Sequence, residues 1–461
     1  MRNPFRFLML VTPLALACTA PAREWFVAPP PLGDDTQSGT AEQPFATLNQ
    51  GAASARAGDT VWIKPGLYQP TAVIKPAHSG TADEPITYRA QPGGEVIVDG
   101  QLKLPATSWN AVFWIDQQDW ITVDGLKIIN SAWFGFSANH TTGVTIQNCA
   151  TDFTYASGIY VRLSSHAKVL RNTVNRACQH PLTQPLKDTQ ECISIVSSTD
   201  FEVAHNTVFG RLVDTNNGGE GIDTKGACRR GKVHHNHIYD LVRLGIYCDA
   251  YGSELEDMEI YANTVHHTSS GIVVACEAGG TARNIRIHDN LVRDCPRLGI
   301  RLAGYLKNGP IQDVEIYHNT VVRCGFGPSE YENSALLLEA SNPANRNFVI
   351  RNNLFSGNPN QIKSRSPHEP APAGLFIIDH NLLHGPSLIT GTDVITADPK
   401  FVDPSAHDFR LAADSPAIDA GADLPLPTTD HRDQPRVVDG NGDGVARRDL
   451  GAFEYQAPLP L

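Results

Sequence analysis

Apolar and polar positions alternate in short runs along most of this chain, and one run keeps returning. It reads apolar, two residues, Asn, one residue, apolar. The copies are Val169–Asn172–Val174, Val203–Asn206–Val208, Val233–Asn236–Ile238, Ile260–Asn263–Val265, Ile287–Asn290–Val292, Ile316–Asn319–Val321 and Ile350–Asn353–Phe355. They fall roughly thirty residues apart, a spacing that signals stacked repeats, because a single unit of this kind cannot bury an apolar face alone. Each copy is rich in β-branched residues at period two, and no long helical pattern follows it. Stacked turns would set each Asn above the last, with the side-chain amides joined in an internal hydrogen-bonded ladder. The pattern predicts an all-β chain: a parallel β-helix solenoid.

A second strand in each repeat opens on Gly-Ile or an equivalent. These strands are Gly158–Arg162, Gly221–Lys225, Gly245–Asp249, Gly271–Ala275 and Gly299–Ala303. Alternation turns the Ile and the residue two later inward, and the residues between them outward. Stacking then gives two outward columns, Tyr160, Ser194, Asp223, Tyr247, Val273, Arg301 and Arg162, Val196, Lys225, Asp249. With turns ~4.8 Å apart and alternate residues ~6.6 Å along a strand, Asp223, Lys225, Tyr247 and Asp249 form a compact square. Glu220 lies at its edge, Glu277 one turn on, and Arg162, Arg243 and Arg301 around it. Opposite charges on adjacent strands can be a plain stabilising ladder worth ~0.2–1 kcal/mol per pair. Several carboxylates, a Lys and a Tyr together also suit catalysis.

A solenoid grows by adding turns, so 461 residues need no division into several globular domains. A segment from Thr47 to Ala57, Ala-rich and helical in pattern, is expected to cap the open edge of the first turn. Turns are expected from about Thr60 to Leu382, within a β-helix domain at 23–397, and a separate C-terminal module at 398–461. The net charge of −12 argues against nucleic acid as a partner. The stretch from Arg211 to Arg243 nevertheless carries six Lys/Arg against four Asp/Glu, and could receive an anionic substrate. Arg2 and Arg6 before the apolar run Phe7–Ala17 predict an export signal in residues 1–22, too short to span a bilayer. Leu14-Ala15-Leu16-Ala17-Cys18 resembles a lipobox, which makes Cys18 a candidate lipid anchor and the only expected membrane link. The eight later cysteines are compatible with disulfides, Cys295 with Cys324 or Cys178 with Cys192, or with small residues stacked inside the coil. Two long stretches, Arg176–Glu191 and Phe209–Glu220, are expected to wall the binding face. A monomer is expected.

The segments Gly33-Asp34-Asp35, Gly39-Thr40, Pro44–Leu48 and Gly58–Ile63 resemble the opening of secreted bacterial right-handed β-helix proteins, among them polysaccharide lyase family nine. Asp398–Pro404, Ser415–Gly421 and Asp449–Tyr455 resemble the module that ends such proteins. Within it, Asp439-Gly-Asn441-Gly-Asp443-Gly444 has calcium-loop spacing, although the closing acid is displaced to Asp449 and a Gly-rich turn is the simpler reading. The resemblance implies cleavage of an anionic, uronic-acid-containing polysaccharide by β-elimination. That reaction needs its C5 carboxylate neutralised, a base for the C5 proton and an acid for the leaving oxygen. Calcium on Glu220, Asp223 and Asp249, or an arginine such as Arg301, meets the first need. The resemblance implies Lys225 as base, provided its pKa is depressed, and Tyr247 could supply the acid. Tyr160, Arg162, Arg243 and Glu277 are the expected substrate-binding residues. The chain lacks the motifs of common pectate lyases and polygalacturonases, and Thr224-Lys225 stands where mannuronan C5-epimerases carry Pro-His. The alternatives are a glycoside hydrolase using Asp223 with Asp249 or Glu277, a C5-epimerase, or a carbohydrate-binding surface protein whose Tyr160 and Tyr247 stack on sugars.

Overall fold

The computed structural model describes residues 21–180, 190–211, 218–302, 308–338, 341–364 and 374–456. The export signal, Cys18 and most of the two long stretches lie outside them. Three parallel sheets of thirteen, twelve and ten strands run the length of the molecule. The chain visits them in rotation, so each turn adds one strand per sheet: a right-handed parallel β-helix. Coiling starts earlier than expected, at Glu24–Val27, which pairs with Thr60–Ile63. The first turn carries no Asn phrase, so only its β propensity marks it. The helix Leu48–Ser54, N-capped by the Thr47 hydroxyl, covers this end with Leu48, Gly51 and Ala52 turned inward.

Inward apolar residues stack turn on turn into one continuous core, as Val203, Val233, Ile260, Ile287, Ile316 and Ile350 show in the thirteen-stranded sheet. The Asn ladder occupies the next corner. Asn263 Oδ1 accepts the backbone N–H and the side-chain amide of Asn236, at 3.0 and 2.9 Å, while Asn263 Nδ2 donates to Val233 O and Asn290 Oδ1. The same set repeats from Asn172, and an eighth rung, Asn381, closes on Asn353. Single left-handed residues precede the rungs, for example His205, His235 and Asp289 at φ 58°, 53° and 52°. The Gly-Ile signature lies at the start of five of the ten strands of the ten-stranded sheet. A Cβ on Gly245 or Gly271 would stand 2.3 Å from a methyl of Val265 or Val292.

All eight described cysteines are buried free thiols. Of the two packings open to them, the small-apolar one is observed, with thiols donating to backbone carbonyls, Cys178 to Gln190 O, Cys295 to Arg293 O and Cys324 to Val322 O. The C-terminal segment lies on the outer face of the twelve-stranded sheet. There Thr264, Leu291, Thr320, Leu354 and Leu382 form one column. Leu354 and Leu382 pack with Ile418 and Leu450, and Leu291 packs with Phe409 and Phe453. The Gly-rich loop uses its oxygens on its own amides: Asp439 accepts from Gly442 and Gly444, and Asp443 from Val445. No helix among the described residues is long and apolar enough to cross a membrane.

Candidate active site

Strands Ile159–Arg162, Ile193–Val196, Ile222–Lys225 and Ile246–Asp249 pair without slippage. The register sets Tyr160, Ser194, Asp223 and Tyr247 in one outward column and Arg162, Val196, Lys225 and Asp249 in the other. These are the columns that alternation predicts, because inward Ile residues at each strand leave only one register that keeps the core dry.

Over this square lies a cleft of about 300 Å³ lined by Glu191, Glu220, Lys225, Arg243, Tyr247 and Glu277, with Arg297 at its side. Lys225 Nζ is 3.3 Å from Glu191 Oε1 and 3.6 Å from Asp223 Oδ2. The rings of Tyr247 and Tyr251 stand 6.0 and 5.7 Å from the same nitrogen. Tyr247 donates to Glu277 Oε1 at 2.7 Å, Arg243 Nε to Glu220 Oε1 at 3.2 Å, and Ser194 to Glu191 Oε2 at 2.9 Å. Asp249 Oδ1 accepts the backbone N–H groups of Tyr251 and Glu277.

The cluster is short of donors. Both Asp223 oxygens, Asp249 Oδ2 and Glu220 Oε2 are buried and accept no hydrogen bond among the described residues, and Asp223 and Asp249 are both 0% exposed. Burial pushes the Asp223 carboxyl well above its ordinary range; Lys225 opposes this, and Glu191, Asp249 and Glu220 add to it. Burial also raises Glu220 and Asp249. Burial alone would pull the Lys225 ammonium down, but Asp223, Glu191, Asp249 and Glu220 together hold it well above its ordinary value. The depressed Lys225 expected of a base is therefore not what this arrangement gives by itself. Burial first, then Asp249 and Glu277, push the Tyr247 phenol upward, so it keeps its proton.

Not every predicted residue joins the cleft. Arg301 sits two turns beyond Tyr247, with Val273 between them. Its guanidinium is 2.7 Å from Glu332 Oε1, and it lines a separate hollow with Tyr331 and Lys363. Tyr160 and Arg162 line a third hollow upstream with Trp109, Ser137 and Asn139. The Tyr160 ring is already stacked on Phe134, centroids 4.3 Å apart, which covers one face; Trp109 is the exposed aromatic there. The three hollows follow one another along the ten-stranded sheet. Glu220, Asp223 and Asp249 share the central wall, but do not form a trio whose donor atoms lie within 4.8 Å of one another. Sequence reasoning missed Glu191. Its signal was available, since Glu191 stands two residues before Ile193 as Glu220 stands two before Ile222.

The β-helix fold and this wall define the class, and sequence comparison gives the family. A family model described as "Right handed beta helix region" matches residues 110–276 and 249–381, more than half of the chain. The chain belongs to that right-handed β-helix family. Residues 25–180 also match "Pel9A-like, right handed beta helix region". "Uncharacterized protein YwoF" of Bacillus subtilis (strain 168) is 28% identical over 443 residues, covering 84% of this chain and 91% of the relative. "Pectate lyase PEL9" of Emericella nidulans is 32% identical over 133 residues, 26% of this chain and 32% of the relative. Among solved structures, XylC with xylose superposes at TM-score 0.62 and 12% identity, covering 94% of this chain and 98% of that one. Pectate lyase Pel9A superposes at TM-score 0.55 and 14% identity, covering 95% and 97%. A family 28 exopolygalacturonase of Yersinia enterocolitica shares the fold as well, so the fold is common to lyases and hydrolases and does not choose between them.

Proposed function

We propose that this protein is an exported polysaccharide lyase that cleaves an anionic, uronic-acid-containing glycan by β-elimination in the cleft over Lys225. One observation carries the reading: a Lys amine at the floor of the cleft, 3.3 Å from Glu191 and 3.6 Å from Asp223, with the protonated Tyr247 phenol one turn away. The match to a Pel9A-like family model and to a pectate lyase supports it. Export follows from the predicted signal and from the polymeric substrate class.

The buried oxygens of Asp223, Asp249 and Glu220 that accept no hydrogen bond among the described residues are of the kind a hard divalent cation takes, but as they stand the three carboxylates lie too far apart to share one ion and would have to draw together around it. Glu191, Glu220, Asp223 and Asp249 would hold it, and calcium there would supply charge neutralisation for a substrate carboxylate. With those carboxylates engaged, Lys225 would lose the fields that keep it charged and could take the C5 proton. Tyr247, held by Glu277, would pass its proton to the leaving oxygen, and Arg243 would bind a uronate carboxylate. The hydrolase reading has one observation in its favour. Asp223 is a carboxyl whose hold on its proton is raised by burial, beside a second carboxyl on the next turn, which is what an acid/base pair needs.

The deciding experiment incubates the full chain with polygalacturonate and with alginate, with and without a calcium chelator. A lyase produces an unsaturated uronate absorbing in the near ultraviolet, dependent on calcium and lost in Lys225→Ala. Reducing ends without that absorbance, lost in Asp223→Asn instead, would replace the lyase with the hydrolase.

A further inference from the structure

Among the described residues, one trio of metal-ligating side chains brings a donor atom of each within 4.8 Å of the other two: His205, His234 and His235. It lies far from the cleft in the topology, at the corner between the thirteen- and twelve-stranded sheets. His234 ends the strand Arg229–His234 of one, and His237 opens His237–Leu241 of the other. Stacking explains how the trio forms. Ala204 pairs with His234 on adjacent turns, so the next residues, His205 and His235, occupy the same left-handed corner position. Their rings stack with centroids 4.9 Å apart.

The ring nitrogens then present a proton count that does not close. His234 Nε2 is 3.2 Å from Glu202 Oε1, and His235 Nε2 is 3.1 Å from Asp433 Oδ1. His234 Nδ1 and His235 Nδ1 face each other at 2.9 Å. Each of these three contacts needs one proton, whereas two neutral imidazoles carry only two. Protons on both Nε2 atoms, where carboxylates accept them, leave two bare Nδ1 lone pairs pointing together. That is repulsive unless a cation lies against both.

We propose that His205, His234 and His235 bind one divalent transition-metal ion of the zinc, cobalt and nickel class. His234 and His235 ligate through Nδ1, while Glu202 and Asp433 hold their Nε2–H groups from outside. Carboxylate–histidine–metal relays of this kind fix tautomer and ring orientation in metal sites. Imidazole ligands favour these metals over calcium or magnesium. Tetrahedral Zn–N bonds place ligand nitrogens about 3.3 Å apart, so a small opening of the 2.9 Å contact admits the ion. His205 is exposed, which leaves an entry path and a position for water. Asp433 belongs to the C-terminal segment, so the ion would also tie that segment to the coil.

The test uses the full chain, stripped with chelator and titrated with Co²⁺ by visible absorbance and with Zn²⁺ by calorimetry. The expected result is one ion per chain, with affinity lowered at least a hundredfold by His205→Ala and by His235→Ala. Asp433→Asn, an outer-shell change, should cost about 10–100-fold. His205 is on the surface, so its variant should fold, and circular dichroism checks this. Asp249→Asn, which removes a carboxylate proposed to hold calcium in the cleft, should leave affinity unchanged, and that separates this ion from any cation there. Binding that is unaltered in both His205→Ala and His235→Ala overturns the proposal. So does the absence of stoichiometric binding at micromolar Zn²⁺, or an ion lost instead in His266→Ala, a histidine of the next turn whose Nε2 lies 2.9 Å from His237 Nε2.

Discussion

Two polar columns run through the same stack of turns and end differently. At the Asn corner, each interior amide has every hydrogen-bonding position filled by neighbours above and below, as at Asn263. On the ten-stranded sheet, Asp223, Asp249 and Glu220 keep buried oxygens that accept no hydrogen bond among the described residues. Identical stacking thus produces a sealed seam in one place and an unfinished one in the other. Native proteins seldom leave buried polar atoms unpaired, and where they do the vacancy tends to serve a ligand or a reaction.

The comparison breaks most sharply at Lys225. Lys225→Ala should lower turnover on the responsive uronate polymer by roughly 10²–10⁴-fold with melting temperature little changed; an active variant would remove Lys225 from the chemistry. Asn263→Ala attacks the sealed seam. It strands the backbone N–H of Asn236 and the amides around it, at ~1–3 kcal/mol for each buried group left unpaired. A loss of about 3 kcal/mol in urea unfolding is expected, with catalysis affected only through stability.

Asp223→Asn sharpens the contrast through pH. A carboxyl whose folded pKa is raised binds its proton more tightly when folded, so it costs nothing below the unfolded value. The cost grows as pH rises towards the folded one. Asn removes that cost, so the variant should melt higher than the parent at pH 8 and no differently near pH 3. A variant that melts lower at pH 8 would show that Lys225 needs this carboxylate more than burial penalises it. The smallest effect is expected of Arg301→Ala. With its guanidinium on Glu332, two turns from Tyr247, kcat/KM should fall less than tenfold, and a larger loss would bring Arg301 back into the site.

The coil was legible because inward positions obey a strict physical rule: an Asn rung must be followed by another at the same offset. Ile378–Asn381–Leu383 satisfies the phrase too, and the structure adds it as the last rung. The turns expected from about Thr60 lack the Asn phrase at first, because Gly125 and Cys149 stand where later turns carry the corner residue and Asn; only the strand Glu24–Val27, ahead of them, went unread. The two outward columns were readable for the same reason that the core was, since one register alone keeps Ile159, Ile193, Ile222 and Ile246 inside. Charge state was not readable. Lys225 is held protonated by Asp223 together with Glu191, the latter a residue supplied from the end of a long insertion. Arg301 is captured by Glu332, from a connection with no period to follow. His205 and His235 share one repeat offset and could have been paired, whereas Asp433 reaches them from nearly two hundred residues away.

The segment lying across the twelve-stranded sheet bears on how the molecule comes apart. An array of repeats ordinarily loosens from its free end, one unit after another. Here His431 grips Thr264 and the Asp289 carbonyl, Arg436 grips Asp289, Ala452 grips Thr320 and Ala422 grips Asn352. These anchors span several consecutive coils like a splint laid along a stack of coins. None of those coils can peel away alone, so the C-terminal third should melt as a single block, and a protease would gain little from nicking one loop.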